Sequence, residues 1–197
     1  NVPNEFIESY FPLRIERYET IPDSGGAGLH RGGNGLSVAY RFLADGHIGI
    51  HDERWLVYPW GVLGGQVGAR STKKLVRADG TEQWLPSKCD GIDVKVGDLL
   101  YFNTWGGGGW GDPLERDAAL VLADVNRNLA TVEGAKDYGV VIVDSAVDEA
   151  ATTALRDQMR SNRAPIETFN LGPSIDELRA NCEAETGLEA PVQPVFR

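Results

Sequence analysis

Four consecutive glycines between two tryptophans form the segment of this sequence whose composition best suits ligand binding. They are followed by Gly-Asp-Pro, and we expect them to join a strand to a helix. Backbone amides without side chains could converge there on an anion near a helix N-terminus. A phosphate, a carboxylate or an oxyanion would suit such a site. The candidate anion-contact or substrate-contact residues are therefore Gly106, Gly107, Gly108, Gly109 and Asp112.

The same glycines have a second interpretation, in which they only let the backbone pass closely between other elements. Composition alone favours this packing interpretation, because the spacing matches neither the dinucleotide-binding fingerprint nor the phosphate loop with its Lys and Ser/Thr. Both interpretations stay open at the level of the sequence.

The histidines do not form a convincing metal site. His47 and His51 would share one face of a helix, but their segment is predicted to be a strand, in which a four-residue step spans about 13 Å. Asp52 and Glu53 could supply oxygen ligands, yet the strand spacing disfavours a shared ion. We therefore predict no metal ligands in this chain. No serine lies in a G-x-S-x-G motif, so the catalytic residues remain unknown.

The two cysteines, Cys89 and Cys182, are predicted to be free thiols, because their separation fits neither a disulfide framework nor a C-x-x-C zinc site. Lys88 could lower the pKa of the neighbouring Cys89 thiol. A buried thiol without a chemical role is the simpler interpretation.

Length and charge exclude several classes of protein. The chain has 197 residues, 42% of them hydrophobic, which is enough to bury a core. Its formal net charge of -10 would repel a nucleic acid backbone. No apolar stretch approaches the roughly 20 residues that span a bilayer. We expect a cytoplasmic protein that binds neither nucleic acid nor membranes.

The elements predict an α+β fold with a predominantly antiparallel β body and a helical C-terminal region. Residues 1–111 form the β-rich, glycine-turn domain, and residues 112–197 form the helical region, packed on the same core. Asp79-Gly80 marks a hairpin, and the glycine-rich turns are expected to supply positive φ and close backbone approach. The predicted strands of the body are Leu13–Glu19, Leu36–Leu43, His47–His51, Leu56–Tyr58, Lys73–Arg77, Glu82–Leu85 and Asp98–Asn103.

The C-terminal region shows helical periodicity and capping residues. A buried strand, Tyr138–Val143, is expected to interrupt it, and the tail after Gly187 is expected to be extended. The predicted helices are Asp117–Leu129, Thr131–Lys136, Asp144–Arg160 and Ser174–Thr186.

Six motifs in a fixed order resemble the C-terminal part of the hydantoinase B/oxoprolinase family, over about Asn1–Asn162. They are Pro22–Gly28 with Arg31–Gly35, Gly61–Gly65 with Gly68, Leu85–Lys88, Gly97-Asp98, Gly106–Gly109 with Gly111–Asp117, and Asp137–Val141.

The resemblance implies one part of an ATP-dependent enzyme that opens cyclic amides such as hydantoins, 5-oxoproline or lactams. A hydantoinase A-type ATPase subunit would activate the substrate by phosphorylation. One alternative is a component of an ATP-dependent ketone carboxylase of the acetone or acetophenone type. Another alternative is a non-catalytic scaffold subunit.

The resemblance also predicts the partners. Family members extend several hundred residues further on the N-terminal side, and their metal-binding segments belong to that part. We therefore expect no cofactor to bind to this chain alone, and expect ATP and a divalent metal in the whole complex. The expected partners are the A-type ATPase subunit, a chain that carries the missing N-terminal part, and a small-molecule substrate.

Overall fold

The computed structural model describes residues 2–192; the last five residues of the predicted extended tail lie outside this range. The helices are α1 (Asn4–Tyr10), α2 (Ala118–Asn126), α3 (Glu149–Asn162) and α4 (Ile175–Thr186), with 3₁₀ turns at Pro113–Glu115 and Gly134–Tyr138. The strands are β1 (Leu13–Thr20), β2 (Leu36–Phe42), β3 (Gly46–His51), β4 (Gly61–Val62), β5 (Thr72–Val76), β6 (Glu82–Trp84), β7 (Lys88–Val94), β8 (Leu99–Asn103), β9 (Ile142–Val143), β10 (Ala146–Val147) and β11 (Phe169–Asn170).

An antiparallel five-stranded sheet in the order β1-β2-β8-β5-β6 forms the centre of the body. One face of it packs against the antiparallel ribbon of β3 and β7. Alternating side chains point to that face, because successive residues of a strand project to opposite sides. The buried cluster between sheet and ribbon contains Phe42, Ile50, Leu75, Leu85, Val94 and Leu100. The structure confirms the α+β fold class and the antiparallel pairing, including the β5–β6 hairpin at Asp79-Gly80.

Two parts of the body differ from the sequence prediction. Leu56–Tyr58 is not a strand: Arg54 has a positive φ of 58° and Trp55 is buried, so the segment bends, and strand pairing resumes at Gly61. Strand β7 was not predicted, because Asp90-Gly91 is a typical turn pair. In the structure, Gly91 has a φ of 65° inside β7, whose pairing with β3 shifts register between Ile48 and Ile50.

The C-terminal helices begin where acidic or hydroxyl side chains cap them. Helix α4 follows the prediction, and its capping box is present: Glu177 N donates to Ser174 Oγ (3.4 Å), while Glu177 Oε2 accepts from Ser174 N (2.8 Å). Helix α2 begins after Asp117, as predicted, but ends at Asn126, three residues early.

Three predicted elements between α2 and α4 differ from the structure. Asp144 and Ser145 have positive φ values of 49° and 63° and form the turn of the β9–β10 hairpin, so α3 begins only at Glu149. The predicted strand from Tyr138 shrinks to β9, because Tyr138 closes a 3₁₀ turn and Gly139 is left-handed. That 3₁₀ turn, Gly134–Tyr138, stands in place of the predicted helix Thr131–Lys136.

A second buried cluster joins the C-terminal region to the body. It contains Ala27, Val121, Ala135, Tyr138 and Val140. Ala27 belongs to the glycine-rich turn after β1, so the helical region packs directly on that turn. None of the helices formed by residues 2–192 has the length and apolar character needed to cross a bilayer.

Candidate functional site

Three glycine-rich loops lie side by side and bond to one another through their backbones. We call residues 24–35, 59–70 and 104–111 the glycine layer. Gly26 N donates to Gly107 O (2.8 Å), Gly107 N donates to Gly33 O (2.8 Å), and Gly109 N donates to Gln66 O (2.9 Å). These bonds connect all three loops, so motifs that are far apart in the sequence form one packed structure.

Glycine is required in this layer because the backbones touch. A Cβ on Gly108 would overlap the carbonyl oxygen of Trp60, whereas a Cβ on Gly107 would lie 3.1 Å from Gly33 N. In the same way, a Cβ on Gly106 would overlap the carbonyl oxygen of Ser24, and a Cβ on Gly109 would overlap the carbonyl oxygen of Ala27. None of these four glycines, nor any glycine of residues 24–35, has a positive φ. The expectation of positive φ in these turns was therefore wrong, and close approach is the reason for the glycines.

Most backbone amides of Gly106–Gly109 donate hydrogen bonds to carbonyl oxygens of the glycine layer. Gly106 N donates to Ala69 O (3.1 Å), and Gly107 and Gly109 make the bonds described above. The packing interpretation accounts for these three amides, since each already has an acceptor. Contact of the run with an anion or substrate stays a prediction.

Asp112 follows the run at the start of a 3₁₀ turn and is held from two sides. Its Oδ1 accepts from Leu114 N (3.0 Å), and its Oδ2 accepts from the Arg163 guanidinium (2.6 Å). Only 11% of its side chain is exposed. Gly111, with a φ of 75°, turns the chain from the layer towards this position. The structure thus places Asp112, but not Gly106–Gly109, in the lining of a cavity beside the glycine layer.

This cavity of about 550 Å³ lies between the glycine layer and the segment that follows α3. Gly64, Gly65 and Gln66 of the layer form one wall. The other lining residues are Asp112, Pro113, Leu114, Asp137, Met159, Arg163, Ala164, Pro165, Ile166, Glu167, Phe169, Asn170, Leu171 and Gly172. The lining combines apolar side chains with three carboxylates, a guanidinium and two side-chain amides, which is typical of sites for small polar organic molecules.

The carboxylates around the cavity differ in their surroundings. Arg163 balances the charge of Asp112. Burial, followed by the negative charges of Asp23 and Glu133, raises the pKa of Asp137 above its ordinary value. Of the three carboxylates that line the cavity, Asp112 is therefore paired with Arg163, and the charged form of Asp137 is disfavoured.

His47 and His51 each bind a separate carboxylate on the exposed β3–β7 ribbon. His47 Nδ1 lies 2.6 Å from Asp93 Oδ1, and His51 Nε2 lies 3.0 Å from Asp90 Oδ1. Across residues 2–192, no three side chains of His, Cys, Asp or Glu converge as a metal site would require. Glu53, which was considered as an oxygen ligand, pairs with Lys88 (3.0 Å).

Asp52, the other oxygen ligand considered, belongs to a buried polar cluster that the sequence reasoning missed. Its carboxylate contacts the Lys73 ammonium and the Ser71 hydroxyl, and Lys73 Nζ donates to Ser71 Oγ (3.0 Å). Lys73 and Ser71 are fully buried. Burial lowers the pKa of Lys73 to about 8, and the charge of a Cys89 thiolate would oppose this shift. Strand alternation could have located the cluster, because Lys73 shares the buried face with Leu75.

A second buried charge cluster was also missed. Asp124 Oδ2 accepts from Arg116 (2.9 Å) and lies 3.4 Å from Arg31 Nε. The Arg116 guanidinium lies 6.0 Å from the centre of the Tyr138 ring, and burial raises the pKa of Tyr138 to about 12. The cluster connects α2 to the glycine layer through Arg31, so its position indicates a structural role.

Both cysteines are free, as predicted. Burial raises the pKa of the Cys89 thiol above its ordinary value, which favours the simpler interpretation of this thiol over the alternative in which Lys88 lowers its pKa. Lys88 instead pairs with Glu53. Cys89 is therefore not an activated nucleophile.

Comparison with known proteins gives consistent matches. The family model described as hydantoinase B/oxoprolinase matches residues 1–113. The putative B-type component of a D-/L-hydantoinase from Pseudomonas sp. strain NS671 is 37% identical over 160 residues, which are 79% of this chain and 27% of that protein.

Two solved structures share the fold. The ATP-dependent caprolactamase from Pseudomonas jessenii is 32% identical, with a TM-score of 0.65 over 79% of this chain and 28% of that one. A nucleotide-free acetone carboxylase is 23% identical, with a TM-score of 0.66 over 83% of this chain and 27% of that one. At this identity the similarity concerns the fold alone. The chain thus spans little more than a quarter of the length of these proteins.

Proposed function

Because the chain belongs to the hydantoinase B/oxoprolinase family, we propose that it forms part of the B-type subunit of an ATP-dependent cyclic amide hydrolase. The similarity to the B-type component of a hydantoinase over 79% of the chain carries this proposal. The similarity to an ATP-dependent caprolactamase supports it. Hydantoins and caprolactam are both cyclic amides, so the two relatives point to one class of substrate.

The chemistry explains why an ATPase partner belongs to the proposal. An amide is stabilised by resonance and is a poor electrophile towards water, so ring opening under mild conditions requires activation. Phosphorylation of the amide oxygen supplies that activation in a positioned complex. We assign this step to an A-type ATPase subunit, and the completion of hydrolysis to the B-type subunit.

Within this chain, we assign substrate contact to the cavity beside the glycine layer. Its volume of about 550 Å³ admits a small ring. Met159 and Phe169 offer apolar contact, and Gln66 and Asn170 offer amide groups that can pair with a ring amide. Asp112 fixes the Arg163 guanidinium at the wall of the cavity (2.6 Å), where it can donate to a ring oxygen.

The divalent metal expected for the complex finds no group of ligands among the residues that the structure describes. In the range 2–192, the acidic and histidine side chains form no three-ligand group. We therefore propose that the metal binds in another part of the complex, assign ATP to the A-type subunit, and derive no step of the reaction through either.

The proposal is tested on the complex purified with its ATPase subunit. Hydantoin, 5-oxoproline and caprolactam are incubated with ATP, and the ring-opened product and ADP are measured. We expect one of these rings to be opened in proportion to ATP consumed. An Asp112→Asn substitution keeps a capping oxygen for Leu114 N but removes the charge that holds Arg163, so kcat/KM should fall at least about tenfold.

Asp117→Asn is the matched control. Asp117 also caps a helix, accepting from Ala119 N (2.8 Å), but it does not line the cavity. We expect its kcat/KM to stay within about twofold of the wild-type value. Fixation of bicarbonate onto acetone or acetophenone without ring opening would instead identify a ketone carboxylase. Unchanged turnover in Asp112→Asn would leave this chain a scaffold.

A further inference from the structure

The face of the five-stranded sheet that points away from the β3–β7 ribbon carries a second cavity, of about 390 Å³. It shares no lining residue with the cavity beside the glycine layer. The strand registers place Ser37, Asn103 and Thr72 in one row across β2, β8 and β5. The neighbouring row places Tyr101 beside Lys74, so the floor of this cavity is built from regular, paired strands.

Asn103 leaves a polar atom without a partner in this floor. Its Nδ2 donates to Thr72 Oγ1 (3.2 Å), while its Oδ1 is buried and has no hydrogen-bond donor among the described residues. A buried carbonyl oxygen without a donor is destabilising and uncommon in folded proteins. The nearby Ser37, of which only 8% is exposed, adds a hydroxyl to the same floor. Asn103 Oδ1 is too deeply buried to contact a ligand directly, whereas the Ser37 hydroxyl lines the cavity and can accept from a ligand N–H or O–H group.

Two cations and two aromatic rings form the walls. The Arg17 guanidinium lies 5.6 Å from the centre of the Tyr101 ring, and Lys74 Nζ lies 5.6 Å from the centre of the Trp84 ring. Along this row, the small side chain of Ala39 separates Arg17 from Tyr101, and Tyr101 lies between the two cations. Both long side chains can therefore reach the space above Tyr101.

The acidic partners of these cations are exposed. Arg17 Nε lies 3.3 Å from Glu19, whose side chain is 62% exposed, and Lys74 Nζ lies 2.9 Å from Glu82, whose side chain is 55% exposed. Exposed pairs of this kind are weak and screened by salt. A ligand carboxylate can replace them at little cost.

We propose that this cavity binds a small organic carboxylate that also carries an N–H group. Arg17 and Lys74 hold the carboxylate, the Ser37 hydroxyl oxygen accepts from the N–H group, and Tyr101 and Trp84 contact the carbon skeleton. The inference rests on the geometry of the open sheet face and does not depend on the hydrolase proposal.

The test is an NMR titration of the full ¹⁵N-labelled chain with sodium N-acetylglycinate, which combines a carboxylate with one N–H group. We expect saturable shifts of the backbone amides of Ser37, Tyr101 and Asn103. N-acetylglycinamide, which lacks the charge, and acetate, which lacks the N–H group, should each bind at least about tenfold more weakly. The substitutions Arg17→Met and Lys74→Met should weaken binding by a similar factor.

Lys95→Met is the control, because Lys95 is also exposed and paired, with Asp45 (3.0 Å), but lies outside the cavity. It should leave the affinity unchanged. The Arg17 side chain is exposed and the Lys74 side chain is half-buried, so the dispersion of the NMR spectrum is used to check that both variants keep the fold. Shifts at other residues, the absence of saturation, or equal binding of N-acetylglycinamide would overturn the site. Equal binding of acetate would overturn the role of Ser37.

Discussion

Alanine at Gly108 should destabilise the protein strongly, because its Cβ would overlap the carbonyl oxygen of Trp60. The two loops must separate, and overpacking of this kind costs about 1–3 kcal/mol. Separation also weakens neighbouring backbone bonds such as Gly109 N to Gln66 O (2.9 Å), each worth about 0.5–1.5 kcal/mol. We expect a total loss of about 2–5 kcal/mol, against a typical stability of about 5–15 kcal/mol.

Alanine at Gly107 is the matched control. Its Cβ would lie 3.1 Å from Gly33 N, so a shift of a few tenths of an ångström accommodates it. The negative φ of Gly107 is compatible with alanine. Alanine also lowers the conformational entropy of the unfolded chain, which stabilises the folded protein by about 0.4–1 kcal/mol. The net change should stay within about 1 kcal/mol.

Urea denaturation of both variants, followed by circular dichroism, measures the difference. The expected result is a clearly lower midpoint for Gly108→Ala and a nearly unchanged midpoint for Gly107→Ala, with similar slopes. Equal losses in the two variants, or an unchanged midpoint for Gly108→Ala, would refute the reasoning from backbone contact. If Gly107→Ala also leaves turnover of the assembled complex unchanged, that position has no catalytic part.

Three further predictions concern charges and caps. Lys73→Met leaves the buried Asp52 carboxylate without its ammonium partner and should cost about 3–5 kcal/mol in urea denaturation, whereas the double variant with Asp52→Leu should cost less. Hydrogen bonds from Arg41, and then Arg14, lower the pKa of Glu16 from 4.5 to about 2. Its stabilising effect is therefore complete above pH 4.5 and lost as the pH falls through 2, so the difference between the wild type and Glu16→Gln in denaturation midpoint should shrink over that range. Ser174→Ala removes the N-cap of α4 and should lower the free energy of opening of this helix, measured by hydrogen exchange, by about 0.5–2 kcal/mol.

Strand patterns predicted most of the body, because alternation of core and outer residues is a local property of sequence. Strands β1, β2, β3, β5, β6 and β8 lie within a residue or two of their predicted positions. Strand β7 was missed because Gly91 supplies a bulge where a turn is more common. The start of α3 was misplaced because Asp144 and Ser145 adopt left-handed conformations that residue type alone does not reveal.

The candidate site could be predicted only in part. The segment around Asp112 was recognised by its composition, but Arg163 lies 51 residues further along the chain and meets Asp112 only through the packing of α3. The wall formed by Gly64–Gln66 depends on backbone bonds among three separate loops. Such contacts are set by tertiary packing, and no spacing rule in the sequence encodes them.

The glycine layer has a consequence for how the protein responds to temperature. Its interior consists of peptide groups bonded to peptide groups, with hydrogen atoms where other proteins place hydrocarbon side chains. Exposure of apolar surface raises the heat capacity on unfolding, whereas exposure of polar surface lowers it. Unfolding of this layer therefore contributes less heat capacity than unfolding of the sheet, and it flattens the dependence of stability on temperature.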